Sequence, residues 1–150
     1  IKNFLKQHDV NYSEIEHEPV FTSEQAAQKR GSNIEEGAKA LLFLADGNPI
    51  QIVIQGNKRV DKDKFKKQFQ FTKLKMASAD QVKKISGVEP GAVPPFGNLF
   101  NPPIQVYATE SLLQSDKIEF NAGDHCKSIR MNASDYKQIV QPIEGIYEEK

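Results

Sequence analysis

Two features of this sequence combine residue types that could do chemistry: Lys39, directly after Gly37-Ala38, and the segment from Gly87 to Gly97. Lys39 opens an otherwise apolar run. If the Lys39 side chain faces a pocket, its ammonium group would supply a fixed positive charge that could bind a carbonyl oxygen, a carboxylate or a phosphate. A lysine at a strand end is more often simply exposed to solvent. The choice between these readings depends on whether Lys39 and the segment share one cavity.

The segment from Gly87 to Gly97 reads Gly-Val-Glu-Pro-Gly-Ala-Val-Pro-Pro-Phe-Gly. Its three glycines and three prolines exclude a helix or an interior strand, because proline lacks an N–H and fixes φ while glycine tolerates positive φ. Its apolar members, Val88, Val93 and Phe96, predict a loop that packs on the core and offers bare backbone to a ligand. The alternative is an ordinary connector between two elements.

The histidines and the cysteine give little support to other chemistries. His8, His17 and His125 have no metal-binding spacing, so we predict neither a metal nor another cofactor. His17 is more typical of a turn histidine than of a base. Cys126 lies between His125 and Lys127, which could lower a thiol pKa, but no second feature supports a cysteine nucleophile. Nucleophile-elbow, P-loop and dinucleotide motifs are absent from the sequence.

A basic run is the one place where this sequence could bind a phosphate backbone. It holds eight basic residues and only two acidic ones, Asp61 and Asp63. Such a run is usually a solvated helix face, so alone it is weak evidence for RNA binding. The basic residues are Lys58, Arg59, Lys62, Lys64, Lys66, Lys67, Lys73 and Lys75.

Length and composition set the broad class. The 150 residues fit one domain, residues 1–150, with a core of useful size. Lys+Arg 20 balances Asp+Glu 20, so the overall charge predicts no DNA and no membrane partner. The single cysteine, the lack of a leader and the lack of a long apolar run predict a reduced, cytoplasmic protein.

The elements that would position these residues are predicted from periodicity and capping signals. The first are a helix from Ile1 to His8, an extended segment to Glu16 and a helix from Ser23 to Arg30 capped by Thr22. An apolar strand from Lys39 then forms a hairpin with Ile50 to Gln55, in which isoleucines alternate with Gln51 and Gln55.

The second half of the chain continues the mixture of helices and strands. Asp61 and Ser78 are predicted to cap helices that end near Gln70 and Gly87, and Asn132 opens a last helix. The polar tail from Glu144 is expected to be loose. Without regular βαβ alternation, the order predicts an α+β domain with a mixed sheet. Its remaining short strands are 73–76, 104–108, 118–122 and 128–132.

Four stretches in this order resemble the YbaK/prolyl-tRNA synthetase-associated domain family of aminoacyl-tRNA editing domains. The resemblance covers nearly the whole chain. It implies a central mixed, mostly antiparallel, barrel-like sheet flanked by helices. The stretches are His17-x-Pro19-x-x-Thr22-x-x-x-Ala26-Ala27, Gly37-Ala38-Lys39-Ala40-Leu41, Gly87 to Gly97, and Phe120-Asn121-Ala122-Gly123 running on to Ser128-Ile129-Arg130-Met131.

The resemblance also implies an activity and a set of site residues. The activity is hydrolysis of amino acids wrongly esterified to tRNA. Lys39 would orient the ester, and the backbone of Gly91 and Ala92 would hold the carbonyl or the attacking water. The implied substrate-binding residues are His17, Thr22, Phe96, Gly97, Asn121, Ala122, Gly123 and His125, and the implied tRNA-binding residues are Lys58, Arg59, Lys62 and Lys66.

The expected function is therefore trans-editing of a mischarged tRNA that carries a small amino acid. An ester is already activated, so the site needs to position water and stabilise an oxyanion rather than supply a strong nucleophile. Ala40 departs from family members with a polar residue after the lysine, which leaves the amino acid open. The alternatives are a non-catalytic module that binds tRNA or a synthetase through the basic run, and a pocket for free amino acids or nucleotides.

Overall fold

The computed structural model of the chain describes residues 11–16, 37–121 and 127–149. The helices predicted over 1–8 and 23–30 lie outside these residues. Within the described ranges, no helix has the length and apolar character needed to cross a membrane.

A five-stranded mixed sheet forms the larger layer. Strands β2 (Ala38–Ala45) and β3 (Asn48–Gln55) form the predicted hairpin, whose turn residues Asp46 and Gly47 have positive φ of 49° and 86°. β4 (Leu74–Met76) is antiparallel to β2, whereas β3, β5 (Gln105–Thr109) and β8 (Ile143–Gly145) are mutually parallel. The spatial order of the strands is β4, β2, β3, β5 and β8.

A three-stranded antiparallel sheet forms the smaller layer, in the order β1 (Tyr12–Glu16), β7 (Lys127–Asn132) and β6 (Lys117–Asn121). One parallel bridge between Gly37 and Glu119 joins the start of β2 to β6. The predicted α+β class with a mixed sheet is confirmed. The described strands form two sheets that meet at this bridge rather than a closed barrel.

The helices begin where their capping residues predict. The Asp61 carboxylate accepts a hydrogen bond from the Lys64 N–H at the start of α1 (Lys62–Phe69). Ser78 forms a capping box with Gln81 at the start of α2 (Ala79–Ser86). Each of these two caps satisfies N–H groups that a helix start leaves free. The described α-helices are α1 (Lys62–Phe69), α2 (Ala79–Ser86), α3 (Glu110–Leu113) and α4 (Ala133–Val140), with a short 3-10 helix at Gly97–Leu99.

The two faces of β2 bury different parts of the core. Ala40 and Leu42 pack toward the side that contains Val93. Phe43 faces the opposite side, where Phe65 of α1 and Tyr107 form an aromatic cluster. Since successive strand residues point to opposite faces, position along β2 decides which layer a side chain meets.

The described part of the polar tail, residues 144–149, is not loose, contrary to the sequence-based expectation. Ile143–Gly145 forms β8, and Tyr147 is fully buried with its hydroxyl donating to the Val53 carbonyl at 3.2 Å. Glu148 also forms a bridge with Val60. The single aromatic residue among charged ones fixes this segment, because burying a tyrosine ring outweighs the polarity of its neighbours.

Candidate active site

The segment from Gly87 to Gly97 is a loop packed on the core, as predicted. Ala92, Val93 and Phe96 are buried. The Phe96 ring meets the rings of Phe120 and Tyr136 edge-on, with centroids 5.3 and 5.5 Å apart. The segment is therefore a shaped loop and more than a solvent-exposed connector.

Three side chains from three different elements hold carbonyl groups of this loop. The Asn121 amide donates to the Gly91 carbonyl at 2.5 Å. The Gln51 amide donates to the Pro94 carbonyl at 2.9 Å. The Tyr136 hydroxyl donates to the Pro95 carbonyl at 2.6 Å. Burial raises the pKa of Tyr136 far above its ordinary value, so this hydroxyl stays a donor.

Some N–H groups of the loop donate hydrogen bonds within the protein, and others have no acceptor among the described residues. The Ala92 N–H donates to the Glu89 carbonyl at 3.1 Å, and the Phe96 N–H donates to the Pro94 carbonyl at 2.8 Å. The Gly97 N–H donates to the Gln51 side-chain oxygen.

Three N–H groups of the loop, those of Glu89, Gly91 and Val93, have no acceptor among the described residues, and the exposed Glu89 precedes the loop tip. Val93 is 6% exposed, and a buried N–H normally has a partner. At the tip and in the buried half of the loop, Gly91 and Val93 are therefore the described positions whose N–H groups can donate to a bound oxygen. The expected role of Gly91 fits this arrangement, whereas the Ala92 N–H is already used inside the loop.

Lys39 is half-buried at the start of β2, where it pairs with Ile54 of β3. Its neighbours Ala38 and Ala40 pack against the cluster that contains Phe96. By strand alternation, Lys39 therefore lies on the face opposite to the buried half of the loop. Ala40, the departure from the family pattern, lies on the loop side.

The bridge between the two sheets brings Lys39 toward Asn121. Gly37 and Glu119 are paired in parallel, so Lys39 and Asn121, each two residues further on, lie on the same face. Asn121 in turn binds the Gly91 carbonyl. We call Lys39, Asn121 and Gly91 the candidate site, in which the start of β2, the end of β6 and the tip of the loop converge.

Two polar residues on the same face of the smaller sheet as Asn121 were not predicted from the sequence. Glu119 and Ser128 are fully buried, and Glu119 lies 3.4 Å from the Arg130 guanidinium in an ion pair across β6 and β7. The only signal was the alternation of polar with apolar residues along both strands, which is typical of a solvent-facing side. Gln51 alternates with isoleucines in the same way, yet it is fully buried, since both faces of β3 are covered.

The structure divides the basic run between the two ends of the large sheet. The turn that carries Lys58 and Arg59 lies at the start of β2, because the Gly56 N–H donates to the Gly37 carbonyl at 2.8 Å. Lys75 pairs with Leu44 at the other end of β2, roughly 23 Å away at about 3.3 Å per residue. The run is therefore not one continuous surface.

Two of the predicted tRNA-binding residues lie on α1, which starts at the end with the candidate site. Lys62 is exposed in its first turn. Lys66 lies one turn further on and is paired with Asp63 at 3.4 Å, so its charge is partly matched. The predicted substrate-binding residues His17, Thr22, Ala122, Gly123 and His125 lie outside the described residues.

Comparison with known proteins identifies the class to which this fold and site belong. The sequence profile of the aminoacyl-tRNA editing domain matches residues 17–139. The chain belongs to this family. The expected resemblance is thereby confirmed over most of its length.

Two of the similar proteins are named for tRNA deacylation or editing. The chain is 29% identical to the multifunctional Ser/Thr-tRNA deacylase ProXp-y of Escherichia coli K12, over 92% of this chain and 84% of that protein. It is 28% identical to the prolyl-tRNA editing protein ProX of Acetoanaerobium sticklandii, over 91% of this chain and 86% of that protein. The crystal structure of the hypothetical protein APE2540 shares the fold, with a TM-score of 0.89 and 21% identity over 99% of this chain and 98% of that one.

Proposed function

We propose that this chain is a trans-acting aminoacyl-tRNA deacylase that hydrolyses the ester of a mischarged tRNA carrying a small amino acid. Membership of the editing family supports the reaction class. The structural observation that supports the site is the Asn121–Gly91 hydrogen bond, because it links the loop tip to the face on which Lys39 lies.

In this proposal the loop backbone and Lys39 divide the work at the ester carbonyl. Water attacks the carbonyl carbon, and negative charge develops on the carbonyl oxygen in the transition state. The N–H groups of Gly91 and Val93 donate to that oxygen, while the Lys39 ammonium orients the ester and the tRNA terminus. Preorganised donors of this kind are worth roughly 3–4 kcal/mol each.

The base that activates the water comes from the substrate in this proposal. A free hydroxyl of the terminal ribose lies next to the ester. It accepts a proton from the attacking water while it passes its own proton to the departing ribose oxygen, so the acyl C–O bond breaks and the free amino acid and tRNA are released. The protein then needs no strong base of its own, since the ester is already activated toward hydrolysis.

Selection of the amino acid rests on the size of the pocket. One methylene is worth only about 1–3 kcal/mol in an apolar pocket, so a synthetase confuses small amino acids and a second, smaller sieve is useful. The named relatives act on Ser/Thr-tRNA and in prolyl-tRNA editing, which are substrates with small amino acids. We therefore propose alanine, serine, threonine, cysteine or proline as the class of amino acid removed.

The test of this function is release of amino acid from tRNA separately charged with each of these five residues. We expect turnover of at least one ester by the wild-type protein. Binding of the charged tRNAs without release from any of them would overturn the proposal. That result would favour the non-catalytic module that binds tRNA or a synthetase.

We further propose that the acceptor end of the tRNA docks on the basic residues beside the candidate site. Lys58, Arg59 and Lys62 are exposed at that end of the large sheet. A phosphate bound there would lie close to the start of β2. Lys73 and Lys75, also exposed, lie at the far end and would not contact the same part of the tRNA.

Charge removal at the two ends should therefore have different effects on tRNA binding. We expect Lys58→Gln with Arg59→Gln to weaken binding and to lower the slope of log K against log salt by about 1 for each phosphate that is no longer neutralised. The control, Lys73→Gln with Lys75→Gln, removes the same charge and should leave the slope unchanged. Equal effects of the two pairs, measured by salt-dependent binding titrations, would contradict docking at this end.

A further inference from the structure

Gln51 is a fully buried polar residue beneath the loop. It pairs with Leu42 of β2 on one side and with Val106 of β5 on the other. Its amide nitrogen donates to the Pro94 carbonyl at 2.9 Å, and its amide oxygen accepts from the Gly97 N–H, also at 2.9 Å. One side chain therefore spans the second half of the loop and holds it at two points.

The two contacts need a side chain that donates and accepts at once. Leucine offers neither function, and an ionised glutamate can accept but cannot donate to the Pro94 carbonyl. The match extends to Gly97, where an added Cβ would lie 2.8 Å from the Ile104 side chain and 3.2 Å from the Gln51 oxygen. Glycine at position 97 therefore leaves the space that the Gln51 side chain and the Ile104 side chain occupy.

We propose that Gln51 is a positioning residue that holds the loop so that the N–H groups of Gly91 and Val93 face the ester. It acts through the loop and does not touch the substrate. Tyr136 holds the neighbouring carbonyl of Pro95 and is the second anchor. This role rests on the proposed function, because it concerns the geometry of the same site.

Phenylalanine variants of two tyrosines can distinguish an effect on the position of the loop from a general loss of stability. Tyr136 and Tyr147 are both fully buried, and each donates its hydroxyl to a backbone carbonyl. The acceptor of Tyr136 is in the loop, whereas the acceptor of Tyr147 is Val53 in β3. We expect Tyr136→Phe and Gln51→Leu to lower kcat about 10-fold or more with little change in KM. Tyr147→Phe, despite a similar loss of stability, should keep the wild-type kcat.

A second variant gives a pH signature that a general loss of stability would not produce. In Gln51→Glu, the protonated carboxyl can donate to Pro94 and accept from Gly97 as the amide does. Burial raises the pKa of such a carboxyl, and ionisation removes the donor. We therefore expect the ratio of variant to wild-type activity to fall as the pH rises, while the ratio for Gln51→Leu stays low at every pH.

Amide chemical shifts and hydrogen exchange of Gly91, Val93 and Gly97 report on the loop without any need for turnover. We expect Gln51→Leu to perturb all three and Tyr147→Phe to perturb none. Unperturbed loop amides in Gln51→Leu, or equal losses of kcat in Tyr136→Phe and Tyr147→Phe, would overturn the positioning role. A wild-type protein that hydrolyses no ester, with the loop still perturbed in Gln51→Leu, would overturn the proposed function and leave the anchoring role of Gln51 standing.

Discussion

Replacement of Lys39 by methionine is expected to lower kcat for ester hydrolysis by about 100-fold, because the ester would no longer be held in its reactive orientation. Methionine keeps much of the length and the apolar stem of lysine, so the half-buried start of β2 should still pair with β3. The change therefore removes the charge with little effect on the strand. Single-turnover hydrolysis of a charged tRNA measures the effect.

The matched control for this change is Lys75→Met. Lys75 also lies on a strand of the large sheet, but it is exposed at the end opposite to the candidate site. We expect wild-type kcat for this variant. If Lys39→Met is as active as Lys75→Met, the ammonium at position 39 takes no part in the reaction.

Replacement of Gly91 by alanine is expected to lower kcat by about 100-fold, because small displacements of positioning groups can cost that much. Gly91 has a φ of 86°, a conformation that glycine adopts freely and alanine does not. A relaxed backbone at this position would rotate the Gly91 carbonyl away from Asn121. The donors of the loop tip would then no longer face the ester.

The hairpin glycine Gly47 provides a control with the same backbone strain. It also has a φ of 86°, and an added Cβ would meet nothing within 4 Å. Alanine at either position should cost about 1 kcal/mol of stability or somewhat more, as expected for a residue forced to positive φ. Only Gly91→Ala should lose hydrolysis, so similar activity of the two variants would contradict a role for the loop tip.

Local signals in the sequence were enough to predict several elements of the fold. The Asp46-Gly47 turn, the Asp61 cap and the Ser78 capping box each depend on residues close together in the chain. The α+β class followed from the order of these elements. Membership of the editing family followed from motifs spread along most of the chain.

The features that were not predicted from the sequence depend on contacts between residues far apart in the chain. Gln51 was read as one of the polar residues alternating along β3, because the loop that covers it comes about 40 residues later. The burial of Tyr147 depends on β8 docking beside β5. The division of the basic run follows from the course of α1 and β4 along the sheet. None of these pairings has a local signature.

The placement of the candidate site can be tested most directly with a non-hydrolysable amide analogue of aminoacyl-adenosine, titrated into isotope-labelled protein. We expect the largest amide chemical-shift changes at Gly91, Val93 and Asn121, and at least a tenfold weaker affinity in Lys39→Met. Shift changes confined to residues remote from the loop tip, with unchanged affinity in Lys39→Met, would show that the aminoacyl end binds elsewhere.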